Sequence, residues 1–168
     1  MTHSRPPRKF EDLTIGESRV SSARTLTQAE IVEFASRYDP QWFHVDPEAA
    51  RDSHFGELIA SGIQVLAIWR ILDHEMNSDI DFVCGVGWDE VRMKTAVRAG
   101  DTLRATSRIV DLIPSDSGKP RGTAITDYRM LNQHDAVVIS FRSINLVYSR
   151  AAFSSESGAL KASGDLRG

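Results

Sequence analysis

Asp39 and His44 stand five positions apart in the stretch Tyr38-Asp-Pro-Gln-Trp-Phe-His-Val-Asp46. A carboxylate and an imidazole within reach of one water can move protons to and from carbon or oxygen near neutral pH. Trp42 and Phe43 lie between them and would supply an apolar wall able to shift their pKa values. Taken alone, such a pair more often marks an aspartate capping a turn and a histidine in a surface loop. A second candidate is Ser61-Gly62. Glycine lets a ligand approach the backbone closely, and amides at a helix start stabilise developing negative charge. An enolate-like thioester oxygen requires that kind of support, although the same residues also make an ordinary helix cap.

These residues depend on the elements around them. Thr27-Gln-Ala-Glu30 is a capping-box pattern that predicts a helix over 28–37, burying Ile31, Phe34 and Ala35. Pro40 disfavours helical dihedrals at Asp39, so this helix ends near Tyr38. Asp46-Pro47-Glu48 reads as the next helix start, with a cap, a proline at the first position and an acid in the first turn. Residues 40–45 are then a short, tightly bounded connection. Ser61-Gly-Ile-Gln64 repeats the capping-box pattern and opens a helix over 62–76. That helix is apolar nearly all round, from Ile63 to Leu72, and is expected to be buried on most sides.

The second half of the chain reads as strands. Segments near 80–97, 101–113, 121–132 and 135–148 are rich in Val, Ile, Thr and aromatics with turn signals between them, and 17–25 adds another. Ala124, Thr126, Tyr128 and Met130 alternate as in a half-exposed antiparallel strand. In the last strand the apolar set jumps from odd (Val137, Ile139, Phe141) to even (Ile144, Leu146, Tyr148), which predicts a bulge near Arg142-Ser143. The plan is one antiparallel sheet of five or more strands with a single buried helix, an α+β domain.

Composition narrows the function class. The chain has 168 residues, enough for one domain with a core, and 20 basic against 23 acidic residues, a net charge of −3. A nucleic-acid binder would show a clustered basic excess. No apolar run reaches 18 residues, so no transmembrane helix is expected. The opening MTHSRPPRKF is basic without an apolar stretch behind it and does not read as a signal peptide. One cysteine, Cys84, excludes an internal disulfide or a Cys-based zinc cluster and is read as a core residue. A cytoplasmic location is expected. Residues 1–9 read as a flexible arm, 10–150 as the domain and 151–168 as a flexible tail.

Together, Asp39-to-His44 and HFGELIASG at 54–62 resemble the MaoC-like dehydratases, the (R)-specific enoyl-CoA hydratase group of the hot dog superfamily. The resemblance covers about residues 10–150, with a weaker echo in GWDEVRMKTAVRAGDTL at 87–103. The family's motif Gly-Asp-x-Asn-Pro-x-His places its acid and histidine on Asp39 and His44 with the same spacing. Tyr38 replaces its glycine, Gln41 its asparagine and Trp42 its proline. The resemblance implies a single hot dog fold, an antiparallel sheet wrapped around a long buried helix. It also implies syn addition of water to a 2-enoyl thioester of CoA or acyl carrier protein, or the reverse. Asp39 and His44 would hold the water and the Gly62 amide the thioester oxygen. Ser61, Gln41, Trp42 and Phe43 would be the other substrate-binding residues. No metal or redox cofactor is needed, because the thioester itself acidifies the α-proton. A homodimer with sheets joined edge to edge is expected, and no nucleic-acid or membrane partner.

Other residues admit plainer roles. His54 could line the pocket entrance but reads more simply as a surface histidine. Asp46 is better used as a cap than as a metal ligand with Asp39 and His44. Arg70 interrupts the apolar helix and should pair with a carboxylate or emerge at a subunit boundary. Thioester hydrolysis on the same fold would need a carboxylate on that helix, where only Asp73 and Glu75 stand, near its far end. A non-catalytic thioester-binding subunit, with Trp42 narrowing the site, is the remaining alternative.

Overall fold

A computed structural model describes residues 4–153. Five strands form one antiparallel sheet: β1 (Ser18–Thr25), β2 (Phe82–Met93), β3 (Thr102–Pro114), β4 (Arg121–Leu131) and β5 (Val137–Tyr148). Their order is β1-β3-β4-β5-β2, so β1 and β2 are the edges. The helices are α1 (Gln28–Tyr38), the single turn α2 (Trp42–Val45) and the long α3 (Gly62–Asn77), which packs on the sheet through β1, β3 and β5.

The alternation along β4 follows the expected face: Gly122, Ala124, Thr126, Tyr128 and Met130 are buried, their neighbours less so. Against this face α3 sets Val65, Ile68, Trp69 and Leu72. Trp69 meets Tyr128 and Phe141 edge-on, with centroids 5.0 and 4.7 Å away. Such pairs add about 0.5–1.5 kcal/mol to the burial itself.

α1 starts as its capping box predicts. Thr27 Oγ1 accepts from the Glu30 amide, and the Glu30 carboxylate accepts from the Thr27 amide at 2.8 Å. The Thr27 amide, then the Thr27 hydroxyl donating at 2.7 Å and the Arg24 guanidinium, hold the Glu30 carboxyl down to about 2. A carboxylate depressed this way stabilises the fold above its unfolded pKa and loses that contribution as pH falls through the folded value. Glu30→Ala is therefore expected to cost about 1 kcal/mol at pH 7. Urea unfolding should show the gap from wild type closing as pH falls from the ordinary glutamate range toward 2.

Several expectations need correction. The connection 40–45 is itself helical, because Gln41 caps α2 in an extended conformation and lets residues 42–45 close one turn. Asp46 does cap, accepting from the Glu48 and Ala49 amides, but only a 3-10 turn at Ala49–Asp52 follows. At α3, Ser61 Oγ accepts from Ile63 N, while Gln64 leaves the cap and donates to Glu30 O at 2.9 Å, tying α3 to α1. α3 is not covered all round, since Ile63 and Ile71 are exposed. β5 runs in continuous register through Arg142-Ser143, and its extra residue is Val138, opposite Met130 and Leu131. The shift from odd to even apolar positions reflects partial cover on the second face of β5, whose odd residues Ser143 and Val147 stay buried.

Cys84 is exposed rather than in the core, because β2 is an edge strand with three register shifts. Arg5, Arg8 and Lys9, in the segment read as a flexible arm, bind carboxylates: Arg8 pairs with Glu17 at 2.7 Å, and Arg5 and Lys9 both meet Asp81. Residues 154–168 of the expected tail lie outside the described residues. Among the described residues, no helix is long and apolar enough to cross a membrane.

Candidate active site

Asp39 is placed by the end of α1. Its amide donates to Ala35 O, and its backbone leaves the helical region (φ −155°, ψ 69°) and turns the chain toward Pro40. The single turn α2 then carries His44 inward, where it is 5% exposed. His44 Nδ1 lies 2.7 Å from the Ile59 carbonyl oxygen. A carbonyl can only accept, so Nδ1 carries the proton and Nε2 is the free nitrogen. The segment before α3 is pinned in turn, with Ile59 N donating to Phe43 O and Ala60 N to Val97 O.

His44 Nε2 and Asp39 Oδ2 are 3.7 Å apart. That exceeds a direct hydrogen bond, so both groups can address a third oxygen. Ser61 Oγ donates to Asp39 Oδ2 at 2.6 Å, and Gln41 Nε2 donates to Oδ1 at 2.9 Å. The Ser61 hydroxyl, then the Gln41 amide, hold the Asp39 carboxyl below its ordinary value against the opposing effect of burial, with attraction from His44 adding to them. Asp39 is thus a carboxylate at neutral pH.

A cavity of about 340 Å³ opens beside the pair, lined by Phe43, His44, Gly62, Val65, Met93 and Val138 among others. Gly62 makes a close approach: a Cβ there would lie 2.6 Å from Met93 Cε, so a larger residue would have to displace that side chain. The structure therefore brings Asp39, His44, Phe43, Ser61 and Gly62 together, but distributes their roles differently from the expected set. Ser61 and Gln41 bind Asp39 rather than facing the cavity. Trp42 is 48% exposed and packs edge-on against Phe43, outside the cavity it was expected to shape. His54 is exposed and contacts Phe55, and it is Phe55 that lines the cavity.

Ile59, Met93 and Val138 went unmarked in the sequence. A backbone carbonyl has no residue signature, while Val138 is delivered by the bulge in β5. Met93 is the last residue of β2, in register with Ile139 on the face toward α3. Among the described residues, no cluster of three or more His, Cys, Asp or Glu has the geometry to hold a metal ion.

The description "MaoC like domain" matches residues 10–128. The chain belongs to the MaoC-like domain family. It is 36% identical over 105 residues to 3-hydroxyacyl-thioester dehydratase Z of Mycobacterium tuberculosis, covering 61% of this chain and 70% of that protein. The crystal structure of the MaoC-like dehydratase from Rhodospirillum rubrum superposes with a TM-score of 0.79 at 32% identity, covering 85% of this chain and 98% of that one. A Mycobacterium tuberculosis protein with a double hot dog fold matches at TM-score 0.71 and 16% identity, over 89% of this chain and 46% of that one. The fold of this MaoC-like domain is thus the hot dog fold, with α3 as its helix.

Proposed function

We propose that this MaoC-like domain adds water to a 2-enoyl thioester, or removes it from the 3-hydroxyacyl thioester, with Asp39 and His44 as the catalytic pair. The observation that carries this reading is an ionised Asp39 3.7 Å from the free nitrogen of His44, with His44 itself lining an apolar cavity that Gly62 also lines. The names of the dehydratase relatives support the same reaction class.

In the hydration direction, water held by the pair attacks C3 and gives one proton to Asp39. The C2=C3 electrons move onto the thioester oxygen, which the Gly62 amide supports. Asp39 passes that proton to the free Nε2 of His44, which delivers it to C2 on the same face and restores the thioester carbonyl. Asp39 is then again a carboxylate and Nε2 again free, and no atom or charge is left over. Incubation with crotonyl-CoA should abolish the conjugated enoyl absorbance and yield 3-hydroxybutyryl-CoA. Free CoA without a hydrated product would identify a hydrolase, and tight binding without turnover a non-catalytic subunit. Hydrolysis is disfavoured by one specific observation: Asp73, the buried carboxylate of α3, is occupied by Tyr128, Asn77 and Arg70 and lies outside this cavity.

Gly62→Ala tests the helix end. The added methyl meets only the flexible side chain of Met93, so the fold should survive, but that side chain lines the cavity and must shift there. Turnover is expected to fall at least about tenfold while the melting temperature changes by no more than about 3 °C.

A second copy of the chain would pair along β2. This edge strand is 12 residues long and leaves Val86, Trp88 and Met93 exposed, with Ile63 of α3 also exposed. An exposed apolar edge is a template for another strand. Light scattering during gel filtration should give a mass about twice 18.7 kDa.

A further inference from the structure

On the outer face of the sheet, away from α3, Arg92 of β2 and Arg129 of β4 are both in direct register with Ser140 of β5. Residues opposite one another across strands share a face at about 5 Å spacing, so the three form one lateral row. Lys94 follows just past the end of β2, where its amide donates to Val138 O. Among the described residues, Arg92, Lys94 and Arg129 have no carboxylate partner, and the Ser140 hydroxyl makes no hydrogen bond. The acids nearby are Asp89, Glu90 and Asp127. Asp127 holds Arg142 at 2.8 Å, and Asp89 and Glu90 act on the same guanidinium.

This row borders a polar groove of about 350 Å³ lined by Lys94, Arg129 and Ser140, and also by Glu90, Asp127 and Arg142, of which Asp127 and Arg142 pair with each other. Lys94 also lines the active-site cavity, next to Met93 and Thr95. The two spaces therefore adjoin at Lys94, on the side of the cavity where Met93 and Thr95 stand.

We propose that the Lys94–Arg129–Ser140 groove, with Arg92 beside it, binds a phosphate of the thioester's carrier. This rests on the hydratase reading only for the direction in which the thioester enters. Cations without partners and a free hydroxyl donor are what a phosphate oxygen needs. The phosphate can be the one next to pantetheine, common to CoA and acyl carrier protein, or the 3′-phosphate unique to CoA.

Calorimetric titration with CoA tests the groove without any turnover. The double variant Lys94→Ala/Arg129→Ala should raise the CoA dissociation constant at least about tenfold, and added salt should weaken wild-type binding more than that of the variant. A control at Lys119, on the distant β3–β4 loop, should change nothing. Dephospho-CoA and phosphopantetheine separate the two sources: if binding falls only when the 3′-phosphate is removed, the nucleotide phosphate is the ligand. If phosphopantetheine keeps the sensitivity to the double variant, the pantetheine phosphate is. Equal CoA affinity in wild type and variant, or no measurable binding of CoA to wild type, would overturn the proposal. Loss of crotonyl-CoA turnover with this binding intact would instead overturn the hydratase reading.

Discussion

Asp39→Asn is expected to leave a folded protein that hydrates crotonyl-CoA at least about a hundredfold more slowly, the scale of one general acid–base group. Asparagine keeps an acceptor for the Ser61 hydroxyl, now at 2.6 Å from Asp39 Oδ2, but cannot take a proton from water. His44→Gln makes the complementary test. Glutamine can still donate to the Ile59 carbonyl, and it removes the nitrogen that faces Asp39. Its turnover should fall by a similar factor. Full activity in both variants would remove the catalytic pair.

The pH dependence of stability gives an independent check on the ionised state of Asp39. Ser61 and Gln41 depress its pKa in the folded chain, so the carboxylate stabilises the fold above the unfolded value, and that contribution is lost as pH falls through the folded value. In Asp39→Asn the contribution is absent at every pH. The stability difference between wild type and variant should therefore shrink on acidification. Ser61→Ala removes the largest of the depressing bonds and should move the acid limb of the rate profile to higher pH, an effect that simple loss of helix capping would not produce.

Much of this site was legible because it is local. Thr27 and Glu30 signal where α1 begins, Pro40 signals where it must end, and the five-residue step from Asp39 to His44 survives as a single helical turn. The alternation in β4 likewise points one face inward over the whole strand. Long-range partners carry no such local mark. That the Ser61 hydroxyl would serve Asp39 depends on how the end of α1 meets the start of α3, 22 residues apart in sequence. Trp42 sits where the family motif has a proline, yet whether its ring faces in or out depends on a packing partner, Phe43, in the same turn. The β5 jump was misread because a change of apolar parity has two causes, a bulge or cover on both faces, and one strand's sequence does not separate them.

The buried end of α3 makes the largest stability prediction. Asp73 is 3% exposed, and its Oδ1 accepts from Tyr128 OH at 2.7 Å and from Asn77 Nδ2 at 2.8 Å. Its Oδ2 accepts from Arg70 Nη1 at 2.6 Å, which is the carboxylate partner Arg70 was expected to find. Burial, together with the adjacent Asp73 charge, pushes the Tyr128 hydroxyl well above its ordinary pKa, so it remains a donor throughout the stable pH range. Asp73→Ala takes the acceptor from that hydroxyl, leaves the Asn77 amide only its longer bond to the Tyr128 oxygen at 3.4 Å, and leaves a void where the carboxylate packed. The expected cost is about 3–5 kcal/mol, or a melting temperature roughly 10 °C lower. Adding Tyr128→Phe to Asp73→Ala should return about 1–2 kcal/mol, because the orphaned hydroxyl is then gone, whereas Tyr128→Phe alone should destabilise. Below its unfolding temperature the Asp73 variant should hydrate crotonyl-CoA within a few fold of wild type, because Asp73 does not line the active-site cavity. A selective collapse of turnover in a fully folded Asp73→Ala protein would transfer the chemistry to α3 and revive the hydrolase reading.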